Sequence, residues 1–296
     1  MPDRPGGEAR LTLGGALQQA TTKLRAAGVD GAGDDARRLL AAVLGLSAAQ
    51  VLGWPERQLA SDQADTLARS VARRAAREPV SRILGEREFY GRRFAISAAT
   101  LDPRADSETL VEMALGLIHE EGWAAKPLRI LDVGTGSGCL LLSLLAEVPQ
   151  AMGVGTDRSL AALRIARQNA RALGLDRRTR WVAADMLEGV SGEFDILICN
   201  PPYIPTAEIR HLEPEVREFD PMAALDGGSD GLLYYRRLAR IASDVVPEGW
   251  LVLEVGHDQA DAVTGILLEA GAPAAGVKIR CDAAGRRRCV AARARN

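Results

Sequence analysis

The sequence predicts an α/β fold in which a small all-helical domain precedes a mainly parallel sheet of seven strands. Three observations support this prediction. Apolar residues up to about position 85 follow helical spacing, apolar runs alternate with helical segments after position 127, and glycine or proline motifs follow several of those runs. Strands separated by helices form βαβ units, whose strands are parallel.

Composition and charge exclude several classes of protein. Of 296 residues, 47% are hydrophobic and 26% are charged, which is typical of a globular chain with two domains or one large domain. The 37 basic and 39 acidic residues give a net charge of −2, which does not suit a polycation that binds nucleic acid. The four cysteines form no Cys-x-x-Cys pair, so we expect reduced thiols and no metal site.

The N-terminal residues do not resemble a signal peptide. Segment 1–10 is polar and lacks an apolar core, so it predicts a loose tail. No stretch approaches the roughly 18 consecutive apolar residues that a membrane span needs. We therefore expect a cytoplasmic protein that makes no contact with a membrane.

Four or five helices are predicted between the tail and about residue 85. The first helix ends at Gly28, since glycine commonly terminates helices. Asp34 or Asp35 can cap the second helix, and Ser61 can cap the fourth. No strand pattern occurs in this part, so we predict a helical domain over residues 1–85.

The pattern changes after this domain. Aromatic residues flank the glycine-containing turn at 91–93, which predicts a hairpin. Asp106 or Ser107 can then cap a long helix. We therefore assign residues 86–105 to a hairpin linker and residues 106–296 to an α/β domain.

Strands and helices alternate in the rest of the chain. The predicted strands are 128–133, 151–156, 179–183, 194–199, 249–255, 277–280 and 287–292. The predicted helices are 138–146, 160–173, 232–246 and 258–270. Ligands of parallel sheets bind at the carboxyl ends of the strands, and three motifs lie at such ends.

The first motif is a glycine-rich turn after the first strand of the parallel sheet. It consists of Asp132, Val133, Gly134, Thr135, Gly136, Ser137 and Gly138. Glycines allow a tight turn and a close approach to a ligand, and the following helix N-terminus favours an anionic group. Because Asp132 repels a pyrophosphate but suits an ammonium group, a ligand with both amine and carboxylate fits better, such as the methionine part of S-adenosylmethionine. The alternative is an ordinary tight βα turn.

Acidic residues follow the next two strands. Asp157 can accept hydrogen bonds from both hydroxyls of a ribose, although it can also serve as the N-cap of the next helix. Asp185 is placed to bind the amino group of an adenine, and Met186 can pack on its ring. An aspartate after a strand is also a common turn residue, so this signal depends on the glycine motif.

The sharpest motif is Asn200-Pro201-Pro202-Tyr203, which follows the apolar strand 194–199. Two prolines stiffen the chain and remove two backbone donors. The Asn200 side-chain oxygen and the Pro201 carbonyl can accept the two hydrogens of a planar –NH₂ group, and Tyr203 can pack on its flat face. The motif therefore predicts a site for a conjugated amine, either a base amine or a carboxamide.

The three motifs, in this order, resemble those of class I S-adenosylmethionine-dependent methyltransferases. Nearly the whole chain is similar to the HemK/PrmC family of protein-glutamine methyltransferases, which modify bacterial peptide chain release factors. Matching segments outside the three motifs include Arg77-Glu78-Pro79, Phe89-Tyr90-Gly91, Pro103–Glu108, Pro221–Leu232 and Leu253–Gly256.

The resemblance implies a Rossmann-like seven-stranded methyltransferase sheet, a helical substrate-recognition domain, S-adenosylmethionine as donor and no metal. Residues 134–138 would cradle the donor, Asp157 would hold its ribose, and Met186 would face its adenine. Asn200 would contact both the methyl donor and the glutamine that accepts the methyl group. The catalytic Asn200, Pro201 and Tyr203, with Pro202, would grip the glutamine of the Gly-Gly-Gln motif of a class 1 release factor. We expect a monomer without direct nucleic-acid binding.

Two departures from the family pattern are visible. The family segment Pro-Arg-Pro-Glu-Thr-Glu reads Pro103-Arg104-Ala105-Asp106-Ser107-Glu108 here, so one rigid proline is lost. Many members carry tryptophan in place of Met186, which makes adenine stacking softer. A sister group modifies a glutamine of a ribosomal protein but usually lacks the acidic pair Asp106 and Glu108, so a release factor is the favoured substrate.

Three other functions are compatible with parts of this sequence. A nucleic-acid adenine or guanine amino-methyltransferase shares the Asn-Pro-Pro-Tyr logic but needs a basic channel for a flipped base. Segment 278–296 carries seven cations against one acid, yet a solvated hairpin end is the favoured interpretation of Arg286-Arg287-Arg288. A non-catalytic module does not need an acceptor motif, and the glycine spacing disfavours a nicotinamide oxidoreductase.

Overall fold

The computed structural model describes residues 11–293, so the tail expected at 1–10 lies outside the described residues. The chain divides into two compact units, with the boundary between Gly85 and Glu86. In the described part, no helix is long and apolar enough to cross a membrane.

The first unit is helical. Its α-helices within the described residues are α1 (Leu13–Ala26), α2 (Ala32–Leu44), α3 (Ala48–Gly53), α4 (Ser61–Ala75) and α5 (Val80–Leu84). Leucines at helical spacing form the core of this unit, and Leu13, Leu24, Leu39 and Leu40 are completely buried. Burial of these apolar faces stabilises helices that are too short to persist alone.

Two of the expected helix caps are wrong. Helix α2 starts at Ala32 after Gly31, whose φ of 66° allows the turn, so Asp34 and Asp35 lie in the first helical turn. There their negative charges interact favourably with the positive end of the helix dipole. Helix α4 starts at Ser61 itself, and the Gln63 side chain accepts the Ala60 N–H instead.

The second unit begins with a hairpin and a long helix. Strands β1 (Glu86–Phe89) and β2 (Arg92–Ala95) pair antiparallel, and positive φ at Tyr90 and Gly91 gives the turn that suits strand twist. A short 3₁₀ turn over Ala105–Ser107 leads into α6 (Glu108–Glu120). Ser107 precedes this helix, but its side chain makes no capping bond to it.

The predicted seven-stranded sheet is confirmed. Its strands are β3 (Arg129–Val133), β4 (Met152–Asp157), β5 (Thr179–Ala183), β6 (Ile196–Cys199), β7 (Trp250–Glu254), β8 (Val277–Cys281) and β9 (Arg287–Arg293). Their order is β5-β4-β3-β6-β7-β9-β8, and β9 runs antiparallel to both of its neighbours. The strand bounds differ from the predicted ones by at most two residues.

Helices cover both faces of the sheet. Within the described residues they include α6 and α7 (Cys139–Glu147), α8 (Leu160–Ala172), α9 (Pro214–Arg217), α10 (Leu233–Val245) and α11 (Ala260–Glu269). Only the four-residue α9 lacks a counterpart in the sequence prediction. Alternate residues of β3 enter two separate cores: Ile130 packs in one and Leu131 in the other. The central strands therefore read as continuous apolar runs.

The register of the parallel strands sets the position of the functional loops. Val133 pairs with Thr156 and Cys199, and Cys199 pairs with Leu253. We call these four residues the terminal row. The next residues along each strand therefore emerge side by side at one edge of the sheet.

Gly155 in β4 is a position where a side chain has no room. A Cβ there would lie 2.5 Å from Trp181 Cζ3 and 3.0 Å from Thr135 Oγ1. We expect Gly155→Ala to lower the free energy of unfolding by about 1–3 kcal/mol, because the Trp181 ring must move. Urea denaturation followed by circular dichroism measures this change.

The matched control is Gly265→Ala within α11. A Cβ added at Gly265 meets no described atom within 4 Å. This variant should be more stable by about 0.5–1 kcal/mol, since alanine is the better helix former. Equal effects of the two substitutions would contradict the packing described around Trp181.

Candidate active site

A cavity of about 370 Å³ opens at the carboxyl edge of the sheet. The loops that follow β3, β4, β5 and β6 line most of it, and segments 99–103 and 221–224 complete the wall with Ser107 and Tyr234. This is the edge at which the terminal row ends, where ligands of open α/β sheets bind.

The structure brings ten of the thirteen predicted site residues to this wall. They are Gly134, Thr135, Gly136, Ser137, Asp157, Asp185, Met186, Asn200, Pro201 and Pro202. The other three, Asp132, Gly138 and Tyr203, do not line the cavity. Each of these three is held behind the wall for a separate physical reason.

Gly138 is a packing residue. It is the N-cap of α7, with φ of 79°. A Cβ there would meet Trp181 and Leu142 at 3.2 Å. The glycine thus lets α7 approach its neighbours, whereas Gly134 and Gly136 form the part of the loop that faces the cavity.

The Asp157 carboxylate holds the glycine loop in place. Its Oδ2 accepts the Gly136 N–H at 2.9 Å, and its Oδ1 accepts the Ser159 N–H at 2.8 Å. Ser159, rather than Asp157, is the N-cap of α8. Each carboxylate oxygen keeps further acceptor capacity, so Asp157 can also bind two hydroxyls of a ligand in the cavity.

Asp132 is buried under the glycine loop. It is 1% exposed, accepts a hydrogen bond from the Thr135 hydroxyl through Oδ2, and makes no bond through Oδ1 to any residue in the described range. Burial raises the pKa of Asp132 to about 7, the bond from Thr135 opposes this rise, and the nearby Asp157 adds to it. The Asp132 carboxyl is therefore not exposed at the cavity wall, where the sequence interpretation expected it to meet an ammonium group.

The loop after β5 carries one strained residue and one ion pair. Met186 is buried with φ of 56°, and its carbonyl accepts the Thr156 hydroxyl at 3.0 Å. Such a backbone conformation costs about 1 kcal/mol or more and persists when its surroundings enforce it. Asp185 Oδ2 binds Arg237 at 2.9 Å, which leaves Oδ1 as the acceptor for a ligand.

The acceptor loop, Asn200–Tyr203, is pinned from behind. Gln259 Nε2 donates to the Tyr203 carbonyl at 2.9 Å. A Cβ at Gly227 would lie 2.8 Å from Tyr203 Cα and 2.9 Å from the Pro202 carbonyl oxygen, so only glycine lets the two segments meet. Asn200 Nδ2 donates to Ser107 Oγ at 3.3 Å.

The Tyr203 ring is not where the sequence interpretation placed it. It packs against the apolar core between the sheet and α10 and does not line the cavity. Burial raises the pKa of Tyr203 to about 12, with a further rise from Glu254 and a lowering by Arg288. Tyr203 therefore supports the loop from the side of the core, and it is not among the residues that line the cavity.

Sequence reasoning missed Glu254 and Ser107. Glu254 follows Leu253 of the terminal row, so it lies beside Asn200 at the sheet edge. Burial raises the pKa of Glu254 to about 7, and hydrogen bonding to Ser107, the charge of Arg288 and bonding to Asn200 oppose the rise. The sequence signal that could have identified Glu254 is an acidic residue at the end of an otherwise apolar strand, Trp250–Glu254.

The interpretation of the arginine run at 286–288 as a solvated hairpin end is wrong for Arg288. Its side chain is buried, and its guanidinium lies 3.1 Å from Asp106 Oδ2 and 3.4 Å from Asp282 Oδ2. Arg287 pairs with Asp261 at the surface. Over residues 11–293, no group of three or more histidine, cysteine or acidic side chains could hold a metal ion.

The fold and the cavity define a class I methyltransferase. The catalytic domain of human METTL16 in complex with MAT2A 3′UTR hairpin 6 has the same fold. It is 17% identical and covers 80% of this chain and 83% of its own, with a TM-score of 0.52. Residues 15–85 match the PrmC N-terminal domain, and residues 115–212 match the methyltransferase small domain.

Curated relatives narrow the class to one family. A release factor glutamine methyltransferase of Rhodospirillum rubrum is 48% identical over 97% of this chain and 87% of its own. One from Bradyrhizobium diazoefficiens is 47% identical over 94% of this chain and 93% of its own. The chain belongs to the release factor glutamine methyltransferase family.

The buried carboxyl of Asp132 links stability to pH. Its folded-state pKa, about 7, lies above the ordinary value of 3.8, so the folded chain binds more protons than the unfolded chain between these values. Stability should therefore fall as pH rises through this window, by about 1.4 kcal/mol per pH unit for one such group. Asp132→Asn should make that dependence less steep in urea titrations at pH 5, 6 and 7, while the part that comes from the buried carboxyl of Glu254 remains.

Asp244→Asn is the control, because Asp244 is exposed. It should leave the slope of stability against pH unchanged. An Asp132→Asn protein with the same slope as the unsubstituted chain would show that the carboxyl is ionised throughout the window.

Proposed function

We propose that this chain transfers a methyl group from S-adenosylmethionine to the side-chain amide nitrogen of the glutamine in the Gly-Gly-Gln motif of a class 1 peptide chain release factor. One observation carries the proposal: Asn200 and Pro201 share a single cavity wall with the glycine loop and Asp157. The names of the relatives support the same reaction.

The residues at the wall fit the donor. S-adenosylmethionine supplies a methyl group on a positively charged sulfur. Residues 134–137 would contact its methionine part, the two oxygens of Asp157 would accept its ribose hydroxyls, and Met186 would pack on its adenine. Asp132 would act through the loop, because its carboxyl accepts a hydrogen bond from the Thr135 hydroxyl. The carboxylate of Asp157 at the wall also makes the site unsuitable for a pyrophosphate.

The acceptor loop fits a carboxamide. Asn200 Oδ1 and the Pro201 carbonyl can accept the two hydrogens of a planar –NH₂ group. An amide nitrogen is a poor nucleophile because its lone pair is delocalised, and bonds that draw the hydrogens aside direct the lone pair to the methyl group. The protein contributes chiefly by positioning the donor and the acceptor. Such positioning can lower the activation free energy by about 7 kcal/mol or more in well-oriented systems.

The match of residues 15–85 to the PrmC N-terminal domain supports a role for the helical unit in recognition of the release factor. Residues 86–105 would connect it to a methyltransferase domain over 106–296, and we propose a monomer. A nucleic-acid acceptor is less well supported, since Arg287 and Arg288 already pair with carboxylates of this chain. The basic segment therefore offers few free cations for a phosphate backbone.

Substitution of Asn200 tests the acceptor loop. Asn200→Ala should lower kcat at least about a hundredfold, because one of the two acceptors for the amide hydrogens is lost at the reacting nitrogen. The assay is the gain of about 14 Da, one methyl group, on a purified release factor, located by tandem mass spectrometry.

A release factor with glutamine replaced by glutamate in Gly-Gly-Gln is the substrate control and should gain no mass. The melting temperature of Asn200→Ala should stay within a few degrees of the unsubstituted protein. Near-normal methylation by this folded variant would refute the assignment.

Substitution of Asp157 tests the donor site. Asp157→Asn replaces an acceptor oxygen with a donor, so the KM for S-adenosylmethionine should rise about tenfold or more. Steady-state kinetics with varied donor measures this change. Asp185→Asn is the matched comparison and should raise KM less, because Asp157 also holds the glycine loop through Gly136, whereas Asp185 binds Arg237. A larger effect at Asp185 would reverse the assigned roles.

A further inference from the structure

Three neighbouring side chains, Asn200, Ser107 and Glu254, form a polar chain at the acceptor loop. Asn200 Nδ2 donates to Ser107 Oγ at 3.3 Å, and the Glu254 carboxyl is near enough to Ser107 and Asn200 for both to lower its pKa. The strand register accounts for this proximity, because Glu254 and Asn200 follow the paired residues Leu253 and Cys199. Glu254 is 2% exposed, and its Oε2 has no hydrogen-bond partner among residues 11–293. Ser107 and Asn200 line the cavity, whereas Glu254 lies behind them.

The single proton of the Ser107 hydroxyl determines which of these groups donates a hydrogen bond and which accepts one. A serine hydroxyl has one proton to donate, while a carboxylate can only accept. When Ser107 donates to ionised Glu254, its oxygen is left to accept from Asn200. The amide of Asn200 must then turn its Nδ2 toward Ser107, which leaves its Oδ1 for the cavity.

We propose that Glu254 is a positioning residue, which fixes the amide orientation of Asn200 through the Ser107 hydroxyl so that Oδ1 faces the substrate nitrogen. The inference rests on the proposed methyl transfer and adds to it the control of the acceptor geometry. Glu254 does not itself touch the substrate, since it is outside the cavity wall. It therefore does not take a proton directly from the amide.

The surroundings of Glu254 allow it to titrate near neutral pH. Arg288 and Asp106 are the charged groups that face it. The facing thiols and phenols are neutral in this range because burial raises the pKa of each: Cys139, Cys199, Tyr203, Tyr235 and Cys289. Burial likewise raises the pKa of Glu254 to about 7.

The sign of the pH effect follows from the same chain. Above its pKa, Glu254 is ionised and accepts from Ser107, which favours the productive orientation of Asn200. Below its pKa, Glu254 is protonated and can donate to Ser107, whose own proton is then free to turn to Asn200 Oδ1. That bond removes the acceptor from the cavity, so kcat should rise as pH increases through about 7.

The experiment compares kcat against pH, from 6 to 9, for five forms of the full chain with a purified release factor and saturating S-adenosylmethionine. The unsubstituted protein should show the rise. Glu254→Gln and Ser107→Ala should lose the rise and have kcat about tenfold lower at pH 8, the effect of one misdirected hydrogen bond. Ser107→Thr keeps the hydroxyl and should keep the rise.

Glu248→Gln is the matched control, since it removes an exposed carboxylate just before the opposite end of β7 and should behave as the unsubstituted protein. Calorimetry with S-adenosylhomocysteine confirms that each variant is folded at the donor site. If Glu254→Gln does not fold, the pair Ser107→Ala and Ser107→Thr still decides the question.

Two results would overturn the inference: a normal pH rise in Glu254→Gln, or a normal pH rise in Ser107→Ala, which would mean that Glu254 acts without the hydroxyl. Failure of the proposed function is a different result. In that case the unsubstituted protein methylates no release factor at any pH.

Discussion

The register of four parallel strands is the constraint on which the rest of the structure depends. Because Val133, Thr156, Cys199 and Leu253 lie level across the sheet, the residues after them lie side by side at one edge of it. In the proposed mechanism these residues are the start of the donor loop (Gly134), the carboxylate that holds it (Asp157), the side chain that contacts the substrate amide (Asn200) and the side chain behind it (Glu254). A slip of one residue in any strand would turn its loop to the other face.

Prolines, close packing and a side-chain hydrogen bond restrict the backbone at this edge of the sheet. Two prolines stiffen the acceptor loop, Gly227 lies against it at a distance that excludes a side chain, and Gln259 holds the Tyr203 carbonyl. The same edge buries two carboxyls, Asp132 and Glu254, whose desolvation lowers stability at neutral pH. The site thus contains features that lower stability, as is common at functional sites.

Strands and cavity loops could be predicted because their signals are local: apolar runs give the strands, and the strand-end rule gives Gly136, Asp157 and Asn200. Other features depend on distant partners. Ser107 has the local signature of a helix cap, yet its hydroxyl bonds to Asn200, 93 residues away. Arg288 looks like a surface charge until Asp106, 182 residues away, is placed beside it. The position of the Tyr203 ring likewise depends on packing that no short motif encodes.

In the proposed reaction, carbonyl oxygens of one rigid loop hold the nitrogen that receives the methyl group. A crystal structure of the enzyme with S-adenosylhomocysteine and a peptide containing Gly-Gly-Gln tests it most directly. We expect the glutamine amide nitrogen at about 2.7–3.2 Å from both Asn200 Oδ1 and the Pro201 carbonyl oxygen. A glutamine amide bound elsewhere in the cavity, with neither oxygen within hydrogen-bond distance, would contradict it.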